Sequence, residues 1–198
     1  MPWTPEHKEE TRRRIIDAAA AAFRSHGMSG ISLADIMRQV GLTHGGFYAH
    51  FKSKEDLIAT TLAELHKVRM ASFEGLAKTA PNEALMRAAH FYLSSRHREH
   101  PETGCSIATL GSELARTHGV ARSQISTNIE AWLDRFADAA SGKDESARRR
   151  QARGAFAAMI GGLILARGVE DAHLSDEILA DVRAFIDEAL ARPSGTSS

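Results

Sequence analysis

The sequence predicts an all-α protein of about nine helices in two parts, and three observations lead there. Apolar residues recur at spacings of three and four through most of the 198 residues, with no convincing strand among them. The breaks between these stretches fall at Gly27, Gly41, Pro81 with Asn82, the run Pro101 to Gly104, and Gly119, residue types that end or turn a helix. A hydrophobic content of 43% over this length suffices for a real core. The expected division is a head, residues 1–54, and a body, residues 55–198.

Met1 to Pro5 reads as a tail. Glu6 to His26 is a helix with the apolar stripe Ile15, Ala19, Ala22 and Phe23, ended by Gly27. Arg12, Arg13 and Arg14 on its early turns are either phosphate contacts or a solvated face. Ser32 is a good N-cap, with Leu33, Ile36, Met37 and Val40 behind it, and Gly41 can take the positive φ of a tight turn. Thr43 caps a second, very short helix carrying Phe47, Tyr48 and Phe51. Two short helices about a glycine turn make a helix-turn-helix, whose second helix can enter a DNA major groove. Burying Phe47 and Phe51 leaves Thr43, His44, Gly45, Gly46, Tyr48 and His50 facing outward, where hydrogen-bonding tips and close backbone approach suit bases and phosphates. Residues 1–54 hold eight Lys/Arg against five Asp/Glu, so the zero net charge of the chain hides a basic head on an acidic body.

Ser53 caps a long helix running to about Lys78, with the buried stripe Leu57, Ile58, Leu62, Leu65 and Val68. A further helix, carrying Leu85, Ala88, Ala89, Tyr92 and Leu93, runs to about His100. His90, His97, Glu99, His100 and Glu102 cluster near its end, yet no cysteine pair or HExxH arrangement completes a tetrahedral set. No metal and no cofactor is therefore expected. Cys105, the only cysteine, falls in the first turn of the next helix, where the helix dipole favours a thiolate. A small buried hydrophobe is the competing reading of the same residue.

Val120 to Ala140 is the next helix, with Ile125, Ile129, Trp132, Leu133 and Phe136. After the polar loop Ser141 to Glu145, the run Arg148, Arg149, Arg150 and Arg153 reads as a solvated face. Gly154 to Ala166 is thirteen uncharged residues, short of the ~20 that span a bilayer, so no membrane partner is expected. The last helix is Ser175 to Ala191, and Arg192 to Ser198 is a polar tail. These two helices carry more apolar surface than a monomer covers, which points to a homodimer through Phe156, Ile160, Leu163, Ile178, Val182, Phe185 and Ile186. Tyr92, Cys105, Leu110, Trp132, Phe136 and Met159 are the candidates for the wall of an effector site.

The order L-T-H-G-G-F-Y-A-H-F-K-S-K-E-D-L closely resembles the recognition helix and following helix start of the tetracycline-repressor (TetR) family of bacterial transcription regulators, most specifically from Phe47 to Leu57. By motif the resemblance covers roughly residues 8–62. It implies a homodimeric regulator, usually a repressor, that binds a palindromic double-stranded DNA operator and is released by a small-molecule effector. It assigns Ser32, Thr43, His44, Gly45, Gly46, Tyr48, His50 and Lys54 to DNA, and the long helix from Ser53 to communication between the two parts. The step Gly104-Cys105 resembles the ligand-domain motif of members that sense electrophiles and oxidants, implying release by modification of Cys105. One cysteine and no apolar leader suit a cytoplasmic protein. No phosphate loop, G-x-S-x-G elbow or paired carboxylates support an enzyme. The competing class is a helical thiol-redox protein or enzyme using Cys105 without specific DNA binding.

Overall fold

A computed structural model describes residues 4–191. The expected tail at Arg192 to Ser198 and the first three residues lie outside the described residues, and Thr4 is already the N-cap of the first helix. The described residues form α1 (Pro5–His26), α2 (Leu33–Gln39), a 3₁₀ turn (His44–Ala49), α3 (Lys54–Thr79), α4 (Ala84–Tyr92), α5 (Ser95–Glu99), a short 3₁₀ turn (Pro101–Thr103), α6 (Ser106–Arg116), α7 (Gly119–Ala139), α8 (Glu145–Gly168) and α9 (Ala172–Ala191). No strand occurs among them.

Local chemistry sets the helix starts. Ser32, Thr43 and Ser53 each accept a hydrogen bond from the amide three residues on, satisfying a donor that the first turn leaves without a partner. Gly41 takes φ +74° between the two short helices of the head, a conformation that costs glycine little.

Two apolar cores follow. The first gathers Ile15, Phe23, Ile36, Met37, Phe47 and Phe51 of the head and crosses into the body at Leu57, Leu62, Leu110, Leu114 and Ile125. The second lies within the body, around Phe73, Leu85, Leu93, Phe136, Phe156, Met159 and Ile186. α3 contributes to both, so the same rigid rod is buried in the head at one end and in the body at the other.

Three further expectations are corrected. The helix foreseen up to His100 stops at Tyr92: the Ser94 hydroxyl donates to the Phe91 carbonyl at 2.7 Å and accepts from the His97 amide, ending one helix and starting another. The buried stripe of α3 is Leu57, Thr61, Leu62 and Phe73, whereas Val68 is exposed, because past Leu62 this helix borders a cavity. Phe156, Leu163 and Ile186, expected at a subunit interface, are buried inside the subunit. Residues 154–166 are uncharged all round the helix, so spacing alone could not say which side turns inward. The outward apolar residues on α8 and α9 are Ile164, Leu165, Leu174 and Phe185.

Candidate DNA-reading head and effector cavity

The head displays its second short helix on a fixed base. Phe47 and Phe51 are buried and stack at 5.6 Å between ring centroids, anchoring the turn from below. Thr43, His44 and Gly45 stay exposed, and Tyr48 is 61% exposed. The Tyr48 ring meets His44 edge-to-face at 5.8 Å, so the two polar-tipped rings stand together on the outer face. Nothing lies within 4 Å of where a Cβ on Gly45 would sit, which leaves its backbone open to close approach. The Thr43 hydroxyl is partly committed, accepting from the Gly46 amide at 3.3 Å.

Three other residues assigned to DNA serve the head itself. Ser32 is engaged with Asp35 as donor at 2.6 Å and as acceptor from its amide at 3.1 Å. Lys54 turns inward: its ammonium donates to the Ile31 carbonyl at 2.6 Å and borders a small cleft shared with Glu113 of α6. Burial lowers the Lys54 pKa, against the opposing pull of Glu113. His50 is half-buried, with both ring nitrogens withdrawn from solvent, and burial followed by Lys8 and Arg12 lowers its pKa. Of the early arginines, Arg12 sits 4.8 Å over the Phe51 ring and Arg14 donates to the Val40 carbonyl at 2.8 Å, both bracing the head, while Arg13 stays at the surface.

At the seam with the body, the Glu113 carboxylate accepts from the Ser29 amide at 2.9 Å and lies where a Cβ on Gly27 would fall. Gly27 has φ +76°, a conformation that favours glycine, and a side chain there would displace the Glu113 carboxylate from the Ser29 amide. Arg24 of α1 donates to the Glu102 carbonyl of the loop before α6. Sequence reasoning missed Glu113 and Arg24, since neither lies in a motif and their partners are distant in the chain.

The body forms a partly open cavity of about 570 Å³ between α3, α4, α6, α7 and α8. Its wall includes Tyr92, Cys105, Trp132, Phe136 and Met159 from the expected set; Leu110 is packed in the head-side core instead, because the α6 face that carries it turns toward α1. Phe73, Trp132 and Phe136 meet edge-to-face or tilted, at 5.1 to 5.8 Å. On the opposite flank, Gly104 and Cys105 are held by His97, whose Nδ1–H donates to the Tyr92 carbonyl at 2.7 Å while Nε2 accepts from the Cys105 amide at 3.0 Å. That pair of bonds requires the neutral ring, and burial lowers the His97 pKa to about 4, with Arg69 and Arg167 pushing the same way against the Tyr92 bond. His97 is thus turned inward, while His100 pairs with Glu102 at the surface, so the two histidines of that cluster do not converge. Cys105 itself is the N-cap of α6 and half-buried, one position earlier than expected.

Residues 15–61 match the family model of bacterial regulatory proteins, tetR family. The chain is 38% identical over 80 residues to the HTH-type transcriptional regulator TtgR of Pseudomonas putida, an alignment covering 40% of this chain and 36% of that one. It is 30% identical over 102 residues to the HTH-type transcriptional regulator AcrR of Shigella flexneri, covering 48% and 47%. The matched segments therefore span between a third and a half of these relatives. In fold the likeness extends over nearly the whole molecule. The reduced form of E. coli NemR superposes with a TM-score of 0.80 at 17% identity, covering 94% of this chain and 100% of that one. A TetR-family regulator from Agrobacterium tumefaciens superposes with a TM-score of 0.77 at 20% identity, covering 93% and 100%. No described helix is long and apolar enough to cross a membrane.

Proposed function

Because its head matches the tetR family of bacterial regulatory proteins and its fold is that of the family's members, we propose that this protein is a homodimeric, sequence-specific transcriptional repressor of the cytoplasm. The observation that carries the reading is the exposed turn Thr43 to Tyr48, seated on buried Phe47 and Phe51 within the matched segment. Thr43, His44, Gly45, Gly46 and Tyr48 meet base edges and adjacent phosphates in the major groove. Ser32, His50 and Lys54 contribute by holding the head in shape.

Two heads are needed to span successive major grooves about 34–36 Å apart, and the operator is accordingly an inverted repeat of double-stranded DNA. The outward faces of α8 and α9 bring the subunits together: Ile164, Leu165, Leu174 and Phe185 are large apolar side chains that a lone subunit leaves exposed. Ile160, Ile178 and Val182 of the same helices are half-buried.

A small molecule in the body cavity, or modification of Cys105 in its wall, releases the DNA. This requires the ligand to favour a head spacing that mismatches the operator; tight binding alone shifts nothing. α3 and the Glu113 contact are the routes by which the cavity reaches the head.

The class is tested by selecting genomic DNA with the purified full chain at two salt concentrations. Capture of a short inverted repeat, lost in Tyr48→Ala, is the expected result. Sequence-blind capture that disappears with added salt would refute the reading. The covalent route is tested by Cys105→Ser, which should abolish release by electrophiles and oxidants if that route operates.

A further inference from the structure

The cavity is not chemically even. Its aromatic side, with Phe73, Trp132 and Phe136, offers flat apolar surface. The flank at Gly104 and Cys105 carries positive charge without an ion-pair partner. Arg24 donates to the Glu102 carbonyl and Arg69 to the Thr103 carbonyl, and both line the cavity. Arg167 stands just behind, donating to the His97 carbonyl at 2.6 Å, with a guanidinium nitrogen 3.1 Å from where a Cβ on Gly104 would sit. Three guanidinium groups thus crowd one loop, each held by neutral carbonyls, and among the described residues none has a carboxylate within 4.0 Å. The Glu102 carboxylate is engaged with His100 at the surface. Burial lowers the Arg24 pKa, and Arg69 lowers it further against the weaker pull of Glu102, so the two cations press on each other.

A second observation points into the same space. The Tyr92 hydroxyl lies buried at the cavity wall and has no hydrogen-bond partner among the described nitrogen and oxygen atoms. Its pKa is raised well above the ordinary value, by burial first and then by the Cys105 thiol beside it, so it remains an O–H donor. The Cys105 sulfur beside it is only a weak acceptor, so this buried donor is poorly satisfied, and a ligand oxygen would serve it better. Each guanidinium has five N–H donors, which one carbonyl cannot exhaust. Among the described residues no acidic side chain lines the cavity.

We propose that the effector of this cavity is a small amphipathic anion, a carboxylate on a flat aromatic body, anchored by Arg69 and Arg24 and by the Tyr92 hydroxyl. The proposal rests on the reading of the cavity as the effector site. A carboxylate supplies an oxygen acceptor to the Tyr92 hydroxyl and the counter-charge that the two guanidinium groups lack, and charge-assisted bonds to guanidinium are the strong kind. An ammonium in the same place would be desolvated beside unpaired cations. A neutral alcohol would satisfy Tyr92 while leaving the two arginines as they are. Arg24 adds a route for the signal, because it belongs to the head: an anion that draws it off the Glu102 carbonyl moves α1 directly.

The test is calorimetric titration of the full chain with three probes of one shape: 2-naphthoate, 2-naphthalenemethanol and 2-naphthylmethylammonium. Naphthoate should bind at least tenfold more tightly than the alcohol, and the ammonium should not bind measurably. Arg69→Met should erase the preference for the acid, and Arg69→Lys, which keeps the charge, should retain most of it. Equal binding of acid and alcohol, tightest binding of the ammonium, or an acid preference unchanged in Arg69→Met would overturn the proposal while leaving the cavity as the effector site. If none of the three binds, the cavity reading fails and the anion proposal with it.

Discussion

The head and the body spend their aromatic residues in opposite ways. In the head, Phe47 and Phe51 are buried against α1 and α2 and stack on each other, and the apolar surface goes into rigidity. In the body, Phe73, Trp132 and Phe136 contact each other around a cavity of about 570 Å³. A reader of base edges needs groups held within a fraction of an ångström, whereas a receiver of ligands needs room and a second arrangement to move into. α3 runs through both cores, so a change in the second can reposition the first without loosening it. The contrast teaches that the two halves differ in packing while sharing one helical architecture.

The sharpest way to break the contrast is to loosen the head. Phe47→Ala should cost about 3–5 kcal/mol, the range for emptying a well-packed aromatic site. Chemical denaturation should show the head melting before the body. Equal loss in the two halves would mean that they form one cooperative unit. Next in size, Phe185→Glu places a charge on the exposed apolar face of α9, and sedimentation should show the dimer dissociating, a loss of about 2 kcal/mol or more. A dimer unchanged by it would move the interface elsewhere. Tyr48→Ala should leave stability within about 0.5 kcal/mol, since the ring is largely exposed. Operator affinity should nevertheless drop by about 1–3 kcal/mol.

The smallest effect concerns the seam of the cavity. His97 has a folded pKa of about 4, below its unfolded value, so the unfolded state binds more protons in that interval. Stability from this residue is full above about pH 6.5, the ordinary histidine value, and is lost as pH falls toward about 4. Denaturant midpoints between pH 7 and pH 4.5 should therefore decline less steeply in His97→Gln than in the wild type. The variant should not be flat, because His50 and His66 are also held below the ordinary value by burial. Parallel slopes would show that the bonds from His97 to Tyr92 and Cys105 are not what acid breaks.

The head was largely legible in the sequence because its signals are local. Ser32, Thr43 and Ser53 each cap a helix by reaching three residues along the chain, and Gly41 takes the positive φ its place in the turn demands. The direction of long side chains was less so. Lys54 reads as a free cation beside a recognition helix, yet its ammonium is taken by a carbonyl 23 residues away. In the body, the helices were legible apart from the break between Tyr92 and Ser95, and their faces were not. Leu163 points inward and Ile164 and Leu165 outward because of how α8 packs, which an evenly apolar stretch does not encode locally. The charged flank of the cavity was invisible for a similar reason: Arg24 and Arg69 lie 45 positions apart and meet only across the loop before α6.

The central claim is that the cavity and the head are coupled. Its most direct test is the affinity of the full chain for its selected operator, measured without naphthoate and with it at saturation of the cavity. Coupling predicts an affinity lower by on the order of tenfold with the cavity filled, and an equal weakening of naphthoate binding when the operator is present. Operator affinity unchanged with the cavity saturated would contradict it.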